Sequence, residues 1–305
     1  MSSVIELLAT SPALFVGTCL VLGLIVGSFL NVVIYRLPVM LERQWREQCA
    51  EAQGADPGAT TAPAVAAQRF NLIVPRSACP GCKAPIGVLQ NIPLLSYLYL
   101  KGRCANCGAA ISARYPLVEA LTGILSALVA WKFGFGWAAV AGLTLTWFLI
   151  ALAFIDIDHQ LLPDSLTLSL LWLGLCASLW MPLSAGAPVP VDMRSSLIGA
   201  VTGYASLWSV YHLFRFLTGK EGMGYGDFKL FAALGAWLGW QMLLPIILLA
   251  SAVGAVTGIA MLTIRKQHRS TPIAFGPFLA AAGWLMLLFG QRVVAGYLGT
   301  FAHAP

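Results

Sequence analysis

Uncharged apolar runs constrain this chain more than any other feature. From Leu14 to Tyr35 there is no Asp, Glu, Lys or Arg. Wound as a helix, that run is about 33 Å long, enough to cross a hydrocarbon core of about 30 Å. Met1 to Pro12 contains no Lys or Arg, so the run reads as a retained first span rather than a cleaved signal. Further spans are expected near 116–134, 138–155, 165–181, 195–216, 228–241, 243–264 and 273–290. The segment at 228–241 is short and is expected to be only half-buried. Hydrophobic residues make up 59% of the 305 positions and charged ones only 10%, against about 25% charged in soluble domains. The fold class is therefore an all-α polytopic membrane protein of about eight transmembrane helices. It carries a polar insert between the first two.

The charges support that count. Nine basic residues lie between Arg36 and Arg114. With alternating spans, Arg215, Lys220, Lys229, Arg265, Lys266 and Arg269 fall on the same side. Only Lys132, Arg194 and Arg292 fall opposite, so fifteen of the 18 Lys and Arg share one side. Basic loops stay cytoplasmic, which places the N-terminus outside. The net charge of +6 is thus read as orientation in a lipid bilayer, with no nucleic-acid partner expected. Three parts follow: 1–36, a first transmembrane helix; 37–115, a cytoplasmic segment; 116–305, the remaining membrane domain. The stretch "EAQGADPGATTAPAVAAQ" reads as a flexible insert, and "MPLSAGAPVPVDMR" as an external loop. No internal repeat is expected.

Four of the seven cysteines form two pairs, "CPGC" (Cys79, Cys82) and "CANC" (Cys104, Cys107), set 25 residues apart. Each CxxC knuckle aims two sulfurs at one point, and two knuckles complete a tetrahedral zinc site. Reversible disulfides are the alternative, but the side is cytoplasmic, where disulfides rarely persist. Four thiolates leave no open position, so the ion is expected to be structural. Gly81 and Gly108 are expected to supply the turns. Cys19 and Cys176 lie in apolar spans as packing residues, and Cys49 stands alone.

Among the acidic residues, Asp156, Asp158, Asp164 and Asp227 fall at cytoplasmic ends of spans. Asp164 follows Pro163 and opens a helical run, so it is expected to cap that helix. Asp158 neighbours His159 and Gln160 and is expected to be wet. Glu119 is expected at the interface reaching water, with a buried hydrogen-bonding role as the alternative. Asp156 directly follows an apolar run. Asp227 ends "GMGYGD" and precedes a small-residue apolar helix. Two carboxylates brought together at a dry helix end would share one proton, and one could then activate water while the other polarises a scissile carbonyl. Sequence alone equally allows both to face water.

Several blocks together resemble the bacterial type IV prepilin peptidases, also called leader peptidase / N-methyltransferases. They are "GSFLNVVIYRLP" (27–38), the two knuckles, "NIPLLSYL" (91–98), "RYPLVE" (114–119), "DIDHQLLPD" (156–164), "GMGYGDFKL" (222–230) and "TPIAFGPFLAAAGW" (271–284). The resemblance implies an inner-membrane enzyme that cleaves leaders of prepilins and pseudopilins at the cytoplasmic face. It implies methylation of the new N-terminus with S-adenosylmethionine. It puts the catalytic pair on Asp156 and Asp227 and the zinc ligands on Cys79, Cys82, Cys104 and Cys107. The methyl-transfer site is less legible, for no strand–GxGxxG–helix unit is present. Gly102, in "LKGRC", could admit a cofactor to the backbone, or could simply be a turn glycine. The glycines before Asp227 are expected to give backbone freedom close to a substrate strand. A proton-coupled transporter would want midplane carboxylates and inverted repeats. A zinc-ribbon adaptor would have no use for "GYGD".

Overall fold

The computed structural model describes residues 2–52, 70–79, 81–87, 90, 92–180, 191–264 and 274–302. Residues 53–68 of the Ala- and Pro-rich insert, residues 181–190 of the expected external loop, and the basic residues Arg69, Arg265, Lys266 and Arg269 lie outside this set. The described residues form ten α-helices: α1 (Ser2–Thr10), α2 (Pro12–Ala52), α3 (Leu95–Tyr99), α4 (Arg114–Phe133), α5 (Trp137–His159), α6 (Asp164–Trp180), α7 (Met193–Thr218), α8 (Tyr225–Leu238), α9 (Leu243–Ile264) and α10 (Gly276–Ala302). No strand occurs among them, only two isolated bridges.

The expected spans coincide with helices, with three refinements. First, among the described residues five helices are long and apolar enough to cross a membrane by themselves, in α2, α4, α5, α9 and α10. The other three expected spans are α6, α7 and α8. The first is 17 residues long and the last 14, while α7 is diluted by Ser, Thr, Tyr, His and Arg. Second, α2 does not stop at Arg36 but runs on to Ala52 through Pro38. Its continuation is rich in helix formers and carries an i,i+4 pair from Arg46 to Glu42 at 2.6 Å. At 41 residues the helix is about 60 Å long, twice the hydrocarbon thickness. Third, α8 is not half-buried: every residue from Leu230 to Leu238 is buried, as are Asp227 and Phe228. A helix enclosed by protein on all sides need not match the bilayer in length.

Two compact units form, one of residues 1–20 and 124–305, the other of residues 21–123. In the first, α8 is the centre, held by α6, α7, α9 and α10. Lipid is as apolar as leucine, so close fit and buried hydrogen bonds must do the holding. Small residues provide the fit. A Cβ on Gly203 of α7 would lie 2.8 Å from the Phe231 carbonyl oxygen of α8. Gly199 and Gly235 abut backbone to backbone. Gly174 of α6 leaves room for the Trp237 ring, whose Nε1 donates to the Leu170 carbonyl at 2.7 Å. The Ser196 hydroxyl donates to the Ala236 carbonyl at 2.6 Å. On the outer side, Trp284 Nε1 of α10 donates to Thr146 Oγ1 of α5 at 3.1 Å.

In the second unit, "GSFLNVVIYRLP" lays one face of α2 along α4 and along the segment that precedes the knuckles. A Cβ at Gly27 would lie 2.8 Å from Glu119 Cα. Asn31 Nδ2 donates to the Tyr115 carbonyl at 3.1 Å. Arg36 is 7% exposed, and its guanidinium donates to the carbonyls of Asn71 (2.9 Å) and Pro75 (2.6 Å). Glu119 is buried rather than wet. It accepts from the Leu94 amide at 3.0 Å and from Ser28. The Leu94 amide, in a left-handed residue just before α3, has no helical partner of its own, which is why a carboxylate is drawn inward to it.

Candidate active site and metal centre

Asp156 sits on the last turn of α5. The helix ends because Gln160 turns left-handed (φ 51°, ψ 39°), closing its amide onto the Asp156 carbonyl at 2.9 Å. The chain then reverses through Leu161, Leu162 and Pro163 into α6. Asp156 is 5% exposed, and its Oδ2 accepts the backbone N–H of Gly276, the first residue of α10, at 2.9 Å. Asp158, two residues on, is exposed as expected.

Asp227 occupies the first turn of α8, with Gly224 as the N-cap residue. The Gly224 amide binds its carboxylate, the half of a capping box that an acid three residues past the cap supplies. Local helix-capping thus favours a carboxylate at this position. It is 8% exposed, and the charge of Asp156 acts on it. The structure therefore brings together two aspartates 71 residues apart in sequence, both dry, at one end of the first unit. Between them lies Leu162, 7% exposed. A Cβ on Gly226 would be 2.6 Å from Leu162 Cβ, and one on Gly276 would be 3.3 Å from Leu162 Cδ1 and 2.6 Å from Asp156 Oδ2.

This geometry corrects the expected role of the glycines. None of Gly222, Gly224 and Gly226 has a positive φ; only Gly219, which caps α7, does. Two of them are needed for closeness: Gly226 against Leu162, and Gly222 against Phe214, from whose ring an added Cβ would stand 2.9 Å. Asp164 is likewise not a cap. It is the first residue of α6, whose opening carbonyl is that of Pro163, and its carboxylate takes Lys229 Nζ of α8 at 2.5 Å. The sequence reading missed Gly276 as a partner of Asp156. Its only signal was "FGP" at the start of an apolar helix.

The four cysteines Cys79, Cys82, Cys104 and Cys107 converge in the second unit, all sulfurs within 4.8 Å of one another. Cys79 and Cys107 are 3.8 Å apart. Ligands about 2.3 Å from a tetrahedral Zn²⁺ are about 3.8 Å from each other, so the donor set fits that ion. All four are free thiols. The knuckles are a local repeat that the sequence reading did not register. Cys79 and Cys104 donate to the Ala84 and Ala109 carbonyls, Lys83 and Gly108 donate back to Cys79 and Cys104, and Ile86 and Ile111 close on Ser77 and Gly102. In both copies the left-handed residue follows the second cysteine: Lys83 (φ 59°) and Gly108 (φ 71°). Gly81 and Gly108 both lie in their turns as expected, but only Gly108 takes the left-handed position; in the first knuckle Lys83 takes it.

The thiols are unequal. The Ala84 amide and the Asn106 side chain bring Cys82 down to about 6, and the amides of Cys107 and Asn106 lower Cys104. Cys107 receives the Ala109 amide, which pulls it down, yet the neighbouring sulfurs, Cys82 foremost, push it up to about 11. Four thiolates this close call for a cation. Gly102 is a buried turn residue with φ 70°, and a Cβ there would lie 2.9 Å from the Tyr97 hydroxyl. Both facts favour glycine here whether or not a ligand binds.

Comparison with known proteins decides the lineage. Residues 21–133 match the bacterial peptidase A24 N-terminal domain, and residues 143–259 match the type IV leader peptidase family. A prepilin leader peptidase/N-methyltransferase of Aeromonas salmonicida is 53% identical over 300 residues, covering 98% of this chain and 99% of the relative. The chain belongs to the type IV leader peptidase family. Proteins of the same name from Stutzerimonas stutzeri (54% over 296 residues, 96% of this chain and 97% of the relative) and Pseudomonas aeruginosa (53% over 294 residues, 96% and 97%) extend the match. No solved structure matches it. Within this leader peptidase chain, both aspartates fall inside the matched peptidase region and all four cysteines inside the matched N-terminal domain.

Proposed function

We propose that this chain is a membrane-embedded aspartyl peptidase that removes the leaders of type IV prepilins and type II secretion pseudopilins, and then N-methylates the new terminus. Asp156 and Asp227 are its catalytic pair. The observation that carries this reading is their burial at helix ends that meet around Leu162, with Gly226 and Gly276 on either side of it. In a dry site, one carboxylate takes a proton from water as the oxygen attacks the scissile carbonyl, and the other gives its proton to the carbonyl oxygen. Collapse of the tetrahedral carbon breaks the C–N bond, and a proton passes to the leaving amine, which becomes the mature N-terminus.

The relatives' printed name, which joins leader peptidase to N-methyltransferase, supports the second activity. S-adenosylmethionine supplies the methyl group in this proposal. The described residues contain no strand–glycine loop–helix cradle for it, and no residue of this chain is assigned to its binding. The four cysteines hold a structural Zn²⁺ that ties the two knuckles together. In this reading the enzyme lies in the bacterial inner membrane with its N-terminus in the periplasm and the aspartates opening to the cytoplasm; the excess of Lys and Arg on one side of the spans supports that orientation. The test is cleavage of a prepilin by membranes carrying the wild type, Asp156→Asn or Asp227→Asn, with product mass measured after addition of S-adenosylmethionine. Both variants should leave the leader in place, and the wild-type product should carry one methyl group. Undiminished cleavage by either variant overturns the dyad.

A further inference from the structure

The Gly276–Leu162–Gly226 contact is unused by the chemistry above, yet it adjoins both aspartates. Leu162 belongs to the four-residue connection between α5 and α6, Gln160 to Pro163, and it is buried there rather than on the surface, where loops ordinarily run. Its side chain is pressed between two backbones without side chains. On one side is Gly226, immediately before Asp227; on the other is Gly276, whose amide holds Asp156 Oδ2. The connection is pinned at both ends. Gln160 closes back on the Asp156 carbonyl, and Asp164 is paired with Lys229 two residues beyond Asp227. Side-chain bulk at either glycine would push on this stack: 2.6 Å is well below any ordinary carbon–carbon or carbon–oxygen contact.

We propose that Leu162 and Gly276 are positioning residues that set the separation and aim of the two catalytic carboxylates. Leu162 is the spacer between the α8 and α10 backbones. The Gly276 amide occupies Oδ2 of Asp156, leaving the other oxygen for water. This rests on the dyad proposed above. A Cβ at residue 276 must drive the Asp156 carboxylate aside by about 0.7 Å, a misplacement of the size that costs ten- to a hundredfold in turnover while substrate affinity is unaffected. Truncating Leu162 loosens the same spacing.

The experiment compares prepilin cleavage by purified, detergent-solubilised wild type with Gly276→Ala, Leu162→Ala, Leu162→Met, Gly283→Ala and Asp156→Asn. Each is normalised to the fraction that elutes monodisperse. Gly283 is the control: it lies on the same α10, where a Cβ would press only on the tip of Leu234. Expected are a ten- to hundredfold fall in kcat for Gly276→Ala and for Leu162→Ala at KM within twofold, recovery of most of the loss in Leu162→Met, and kcat within twofold for Gly283→Ala. The proposal is overturned if Gly276→Ala and Leu162→Ala keep wild-type kcat while Asp156→Asn is inactive. It is also overturned if Gly283→Ala loses as much as Gly276→Ala, since the effect would then be general displacement of α10. Activity in Asp156→Asn instead overturns the dyad itself.

Discussion

Gly203→Ala tests whether the α7–α8 seam is as tight as its contacts imply. The added Cβ would stand 2.8 Å from the Phe231 carbonyl oxygen and 3.1 Å from Ala232 Cα. Both are backbone atoms of a helix enclosed on every side, so no side-chain end can swing away. The seam must open by about 0.5 Å, which forfeits roughly a quarter of the dispersion energy of the contacts it spans. Overpacking costs about 1–3 kcal/mol, and against backbone that cannot yield the upper part of that range applies, about 2–3 kcal/mol; replacing a helical glycine with alanine offsets about 1 kcal/mol. A net loss of about 1–2 kcal/mol corresponds to a melting temperature lower by about 2–8 °C for a domain of this size. Gly17→Ala in α2 is the matched control. No heavy atom lies within 4 Å of its added Cβ, so only the propensity gain applies and stability holds or rises. The assay is thermal melting of both variants in the same detergent, followed by prepilin cleavage. Phe231 lies one turn beyond Asp227, so Gly203→Ala also slows turnover. Melting of Gly203→Ala at or above wild type, or equal loss in Gly17→Ala, refutes the reasoning.

Replacing Cys79 with Ser should lower bound zinc, measured by metal analysis of the purified protein, from about one per chain to well below one half. Because Cys107 keeps its proton up to about 11, loading must displace that proton, so apparent zinc affinity rises with pH between 6 and 8 in competition titrations. The Lys229–Asp164 pair is partly exposed, at 25% and 61%, so losing it costs no more than about 1 kcal/mol. Asp164→Lys should lower the melting temperature, and adding Lys229→Asp should restore at least half of the loss. Glu119→Leu leaves the Leu94 amide without its acceptor, at a cost of about 1–3 kcal/mol; faster proteolysis between α2 and α4 is the readout.

The helices were legible in the sequence because an uncharged apolar run long enough to span lipid has few alternative fates. Where a helix answers to protein rather than to lipid, that logic fails. The length of α8 is set by the neighbours that enclose it, so neither its bounds nor its complete burial follow from hydropathy. Past Arg36 the side chains become polar, but a polar stretch of good helix formers continues a helix as readily as it ends one, and α2 does so through Pro38. The tetrathiolate was legible because CxxC spacing already encodes the knuckle. Its internal repeat was masked by Lys83 standing where the second copy has Gly108.

The two aspartates were identifiable as helix-end carboxylates, but neither their dryness nor their meeting could be read, because both depend on how three helices pack. No local pattern carries that information. The same holds for the glycines. A glycine in sequence states only that a Cβ is absent, for conformation or for space. Ahead of Asp227 conformation was the natural reading, yet Gly224 is ordinary extended backbone (φ −77°, ψ 148°) and Gly226 is helical. The reason is space, and it lies 64 residues upstream, in the Leu162 side chain. Gly276 is glycine for the same cause on the other side of that leucine. The candidate site is therefore built by three separated segments converging on one apolar side chain, and it becomes visible only when α5, α8 and α10 are placed together.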